Sequence, residues 1–183
     1  MNKTHYNILP ILGVIAALFF GWSTMSAQTA EKLENQYREI EALPSGSVFN
    51  LVVTDDDMSA AASEYLVRFK NEIQAMILES TGMKLDLADP VVEFKTDKTV
   101  ASLKVGKGFL KVTASIQAEI TWDGEIHVNV LAVDVPIVSI DPATVNSYIE
   151  KPVRQAMAKL GEKYEIRNLH VGDGMITLEA MKK

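Results

Sequence analysis

The chain has 183 residues, 18 basic and 24 acidic side chains, a net charge of −6 and no cysteine. Without Cys there is no disulfide, no thiolate nucleophile, no Cys-ligated metal and no lipoprotein anchor, and the acidic balance leaves no electrostatic footprint for nucleic acid. Six Pro, ten Gly and no low-complexity run argue against disorder, and the length beyond residue 30 suffices for one domain with its own core.

Lys3 and His5 precede an uncharged stretch over 6–30, densest over 8–22 (ILPILGVIAALFFGW); the next charges are Glu31, Lys32 and Glu34. A membrane-crossing helix takes about 20 mostly apolar residues and a secretory core about 7–15, so 8–22 lies between the two. Positive charge on the N-terminal side keeps that end in the cytoplasm and sends the rest outward. Signal peptidase wants small residues one and three places before the cut, and only Ser26 with Thr24 fits passably. A retained single-pass anchor over 1–30 is therefore expected, with cleavage as the alternative.

Residues 31–43 (EKLENQYREIEAL) predict a short helix with Leu33, Tyr37, Ile40 and Leu43 on one stripe. It is too short for a coiled coil and reads as a juxtamembrane stalk. Pro44-Ser45-Gly46-Ser47 follows as a linker, which leaves 48–183 as the exported domain. A strand over 48–53 runs into Thr54 and Asp55-Asp56-Asp57, the pattern of a capping box with Thr54 at N-cap and Asp57 at N3. Three carboxylates in a first turn also suit the helix dipole, and nothing nearby supplies further ligands at a Ca²⁺-loop spacing. The helix that follows should place Met58, Ala61, Ala62, Tyr65, Leu66, Phe69, Ile73, Met76 and Ile77 on one face over about seven turns, ending at Thr81-Gly82.

A short strand over 91–94 opens a series of hairpins whose registers follow from face alternation. A Lys107-Gly108 loop would pair Val105 with Leu110, Leu103 with Val112 and Ala101 with Ala114. A Trp122-Asp123-Gly124 loop, with Gly124 left-handed, would pair Ile120 with Ile126, Ala118 with Val128 and Ile116 with Val130, and set His127 opposite Glu119. An Asp173-Gly174 turn would pair Val171 with Ile176 and Leu169 with Leu178. Between them Asp141-Pro142 opens a helix striped by Val145, Tyr148, Ile149, Val153, Ala156, Met157 and Leu160. Gly161 should close it, and Pro152 should kink or split it near Glu150. The stretches LKVGKGFLKV and LHVGDGMITL share a Leu-x-Val-Gly-x-Gly core, which common hairpin grammar explains more readily than duplication.

No nucleophile elbow, zinc-protease helix, P-loop or dinucleotide fingerprint occurs, so no enzyme, cofactor or metal is expected. His127 with Glu119 reads as a surface cross-strand pair, and His170 has no evident partner. The apolar sheet face is the better candidate. It mixes Leu110, Val112, Ile116, Ile120, Val128 and Val130 with the small Ala101, Ala114, Ala118 and Ala132, and Met76 and Met157 on the helices can line an adaptable site. Past Asn129 the other face turns apolar too, at Leu131, Val133, Val135 and Ile137. Such a two-faced strand calls for a second layer, a partner chain or lipid.

The anchor, the strand entering a long helix, the antiparallel hairpins (WDGEIHVNV, VGDGMITL) and the closing helix–hairpin resemble small exported bacterial proteins of the YpmS and LmeA type. The resemblance spans about 48–181 and implies a tubular lipid-binding (BPI-like) architecture in the cytoplasmic membrane of a bacterium, without assigning ligand residues. The resulting expectation is an α+β domain, one antiparallel sheet of six or seven strands with two long helices on one face. It should bind a lipid or other apolar ligand or, alternatively, dock as an accessory subunit on a larger membrane complex.

Overall fold

The computed structural model describes residues 31–135 and 140–183. Four helices and seven strands follow one another as α1 (Glu31–Ala42), β1 (Val48–Thr54), α2 (Asp55–Arg68), α3 (Lys70–Thr81), β2 (Asp86–Lys95), β3 (Lys98–Lys107), β4 (Leu110–Trp122), β5 (Ile126–Asp134), α4 (Pro142–Lys163), β6 (Tyr164–Gly172) and β7 (Met175–Lys182). The fold is α+β and wholly antiparallel, as expected, but the strands form two sheets rather than one, ordered β2-β3-β4-β5 and β1-β7-β6. The division arises because β1 finds its partner at the far end of the chain, from Val48 opposite Met181 to Thr54 opposite Met175. The anchor expected over 1–30 lies outside the described residues. Among those described, no helix is long and apolar enough to cross a membrane.

The capping box forms as the residues dictate. Thr54 Oγ1 accepts from the Asp57 amide at 3.3 Å, and the Asp57 carboxylate accepts from the Thr54 amide at 3.0 Å; such a cap is worth about 1 kcal/mol. Asp55 has a second task. Its Oδ1 accepts from the Phe94 amide at 2.6 Å, while Gly174 donates to the Phe94 carbonyl and Asp55 donates to the Gly174 carbonyl. Thr96 adds a bond from its amide to Asp173. This ring of bonds ties the end of β2, the start of α2 and the β6–β7 turn together where the two sheets meet. One turn on, Ser59 Oγ accepts from the Val92 amide at 2.9 Å. On the opposite strand of the sheet, Asn146 of α4 accepts from the Val130 amide at 2.7 Å and donates to its carbonyl at 3.2 Å.

The long helix is two helices. At Phe69 (φ −105°, ψ 19°) α2 ends and α3 begins, and Gly82 (φ 67°) caps α3 with its amide on the Leu78 carbonyl. The apolar stripe continues through the break, so Ala61, Ala62, Leu66, Ile73 and Ile77 are all buried. Conversely, α4 is not split near Glu150. It runs unbroken through position 152 and past Gly161 to Lys163, because Val145, Ile149, Val153 and Ala156 are buried along its length. That burial, at about 1.5–3 kcal/mol for each large apolar side chain, offsets the bond that Pro152 removes.

The C-terminal hairpin has the expected register, Val171 opposite Ile176 and Leu169 opposite Leu178. The other two keep the expected faces but are shifted by two residues. In β3–β4, Val105 lies opposite Val112, Leu103 opposite Ala114 and Ala101 opposite Ile116, around a Gly108-Phe109 turn. A Lys107-Gly108 turn would have put a lysine where a left-handed residue is needed, whereas the observed turn gives the first position to Gly108 (φ 60°). In β4–β5 the loop is Asp123-Gly124-Glu125, so Ile120 lies opposite Val128 and Ala118 opposite Val130. His127 therefore faces Thr121, and Glu119 faces Asn129. Strand β2, expected over 91–94, begins earlier at Asp86 and carries an irregularity between Ala88 and Val91.

A bulge at Leu131, opposite the step from Gln117 to Ala118, corrects the two-faced strand. Opposite Gln117 stands Ala132, and opposite Ile116 stands Val133, so Leu131 is an extra residue. The parity of β5 changes there. Val133 and Val135 pack against the main core, Leu131 points out at 45 % exposure, and Ala132 leaves the core face.

The expected stalk is docked. Ile40 is buried with Tyr164 and Ala180 against Phe49, Leu51 and Leu160, and the Phe49 and Tyr164 rings meet edge-on at 5.5 Å. Glu41 accepts from the Tyr164 hydroxyl at 2.5 Å and from Lys163 Nζ at 3.2 Å, and Lys182 Nζ reaches the carbonyls of Ile40 and Glu41. The Tyr164 hydrogen bond above all holds the Glu41 carboxyl at about 2, against an ordinary 4.5. A depressed carboxylate stabilises docking fully above about 4.5 and stops doing so as pH falls through about 2. With the acid slowing of intrinsic exchange divided out, protection of the α1 amides should accordingly fall a few-fold as pH drops between those values, an exposed pair being worth under about 1 kcal/mol. Glu41→Gln should show the lower protection throughout; equal protection profiles in the two proteins would refute the role of the carboxylate.

Candidate functional site

The inward face of the four-stranded sheet is occupied by core. Ala101 and Ala114 have no exposure, Ala118 has 1 %, Ile116 2 % and Val130 4 %, with α2, α3 and α4 supplying Leu66, Ile73, Ile77, Val145 and Ile149 across from them. Ile120, Val128 and Met157 are half-buried at its margins. Leu110 (69 %) and Val112 (43 %) extend beyond the helical cover. The Met76 side chain, and Ile137 altogether, lie outside the described residues.

Space for a guest opens at a different place. A half-open groove of about 280 Å³ runs between the α2–α3 break and the first half of β2. Leu66, Ile73 and Leu87 form its apolar floor, with Val67, Ala88 and Pro90 beside them. Ser63, Lys70, Gln74 and Asp89 stand at its rim. Two irregularities face each other here. On the helical side, Phe69 leaves helical dihedrals (φ −105°, ψ 19°) where α2 gives way to α3. On the strand side, Asp89 adopts φ 50°, a left-handed conformation uncommon outside glycine, directly before Pro90. Lys104 Nζ lies 2.7 Å from Asp89 Oδ2, an ion pair that holds the Asp89 carboxyl below its usual range. Gln74 Nε2 donates to Asp86 Oδ1 at 3.2 Å and links α3 to the strand.

The groove has an apolar floor, a rim with one cation and one anion, and a volume just under the roughly 300–1,000 Å³ usual for ligand pockets. It suits part of an acyl chain or a single large apolar side chain. None of its residues was among the sheet-face candidates. The available signal was Asp89-Pro90 inside a strand pattern, since Pro in a strand marks an edge or a bulge.

The remaining candidates form no reactive constellation. His127 Nε2 lies 2.9 Å from Asp123 Oδ1, with both side chains more than half exposed, and the expected Glu119 partner is elsewhere. His170 is exposed opposite Thr177. Among the described residues, no group of His, Asp and Glu is placed to hold a metal ion. The chain matches no family model, no curated protein and no solved structure.

Proposed function

We propose that this protein is a membrane-anchored, extracytoplasmic, non-enzymatic domain that binds an acyl chain or similar apolar ligand in the α2–α3/β2 groove. The apolar floor of Leu66, Ile73 and Leu87 under a polar rim carries the reading. The apolar leader over 8–22 supports it by tethering the domain where lipids are, with the N-terminus cytoplasmic. The resemblance to the YpmS and LmeA type points the same way. The guest sits at the sheet's edge rather than among the alanines, whose face is filled. The accessory-subunit reading loses its motivating strand, because the Leu131 bulge turns Val133 and Val135 inward.

A photoactivatable fatty acid, cross-linked to the full chain in membranes and mapped by peptide mass spectrometry, tests this. Labels should fall on 63–74 and 87–90, and Ser63→Trp, filling the groove from its rim, should reduce them at least tenfold. Labelling confined to 8–22 would overturn the proposal.

A further inference from the structure

At the tip of the β3–β4 hairpin, Phe109 is 94 % exposed and Leu110 69 %. Phe109 occupies the second position of a two-residue turn, where Gly, Asn or Asp ordinarily sits, and packs against no core cluster. Nothing in the local fold calls for an aromatic ring there. The charge around it is equally unlike the rest of the molecule. In a chain of net −6, residues 98–118 hold four lysines and no acid. Three of these, Lys104, Lys107 and Lys111, lie within five residues of Phe109. The facing carboxylates are Asp89, bound to Lys104, and Asp86, bound to Gln74.

We propose that this tip is a contact site for an anionic bilayer surface, with Phe109 and Leu110 entering the headgroup zone and Lys107 and Lys111 meeting lipid phosphates. Amphipathic interfacial segments combine these same groups, apolar rings below and lysines that reach up to the charged layer. A protein partner fits less well. A stable interface buries about 800 Å² per side, whereas one aromatic ring supplies about 150–250 Å² and a convex tip adds little more. A bilayer needs no complementary shape.

The tip also adjoins the groove. Asp86, at the start of β2, is paired with Gly106, and the groove wall follows at 87–90. Contact at Phe109 would thus bring the groove to the headgroup layer, where an acyl chain can enter it. This loading step rests on the groove reading; the membrane contact does not.

Because the chain has no native Cys, Leu110→Cys carrying a bimane gives a single reporter. The full chain is reconstituted in vesicles of phosphatidylcholine, with or without phosphatidylglycerol and with nitroxide-headgroup lipid. We expect quenching in the phosphatidylglycerol vesicles, weakened at least tenfold by Lys107→Glu with Lys111→Glu at unchanged far-UV spectrum, and lost at high salt. No quenching in either vesicle, quenching equal in both, or quenching unaltered by the double reversal overturns the proposal, the first leaving a protein as the occupant. Fatty-acid labelling of the double variant in detergent separates the two readings. A failed tip leaves labelling of 63–74 intact, and a failed groove leaves the quenching intact.

Discussion

Ile77→Ala should lower the unfolding free energy by about 2–5 kcal/mol, the range for removing a large aliphatic side chain from a packed site. Ile77 has no solvent exposure and belongs to the main core cluster with Val92, Leu103 and Ile116. Its helix depends on it to an unusual degree. α3 has only 12 residues, begins without a side-chain cap at Phe69, and among its described side chains buries the aliphatic Ile73 and Ile77. An isolated helix of that length is marginal in water. The substitution should therefore loosen α3 as a unit and release the Ile73–Gln74 wall of the groove. Urea unfolding followed by circular dichroism reads the loss directly; a change below about 1 kcal/mol would mean that α3 is held by something other than its apolar face.

Ala118→Phe should destabilise the domain by at least about 1–3 kcal/mol, since added volume in a filled core forces neighbours off their rotamers. Ala118 is 1 % exposed, lies between Thr99 on β3 and Val130 on β5, and adjoins the bulge at Leu131. Val130 is in turn fixed by its two bonds to Asn146, so neither flank can yield without breaking hydrogen bonds. The alternative outcome is equally clear. If Ala118→Phe left thermal unfolding unchanged while abolishing fatty-acid labelling, the guest would lie on the alanine face and not in the groove.

Local chemistry was legible in the sequence and distant pairing was not. Thr54 with Asp57, Asp141 with Pro142, and Asp173 with Gly174 each act within a few residues, and each forms the expected cap or turn. Alternation fixes a hairpin register only to within two residues, because a slip of two keeps every side chain on its face. That is the error found around Gly108 and Gly124. The Leu131 bulge inverted the reading of Val133 and Val135, since one inserted residue makes a single-faced strand look apolar on both sides. The partition into two sheets depends on β1 meeting β7, more than a hundred residues away, and no local signal announces it. The groove was missed for a related reason. The helical stripe passes through Phe69 without interruption, so the break that shapes the groove leaves no mark on the hydrophobic pattern.

The hydrogen bonds that the Val92, Phe94 and Val130 amides donate to Ser59, Asp55 and Asn146 have a consequence for assembly. They occupy backbone groups on the two outermost strands of the four-stranded sheet, which would otherwise template an incoming strand. At those positions the sheet cannot grow by strand addition. Crowded chains are thereby kept from zipping together at these positions of β2 and β5, and any protein that binds there must recognise side chains rather than extend the ladder.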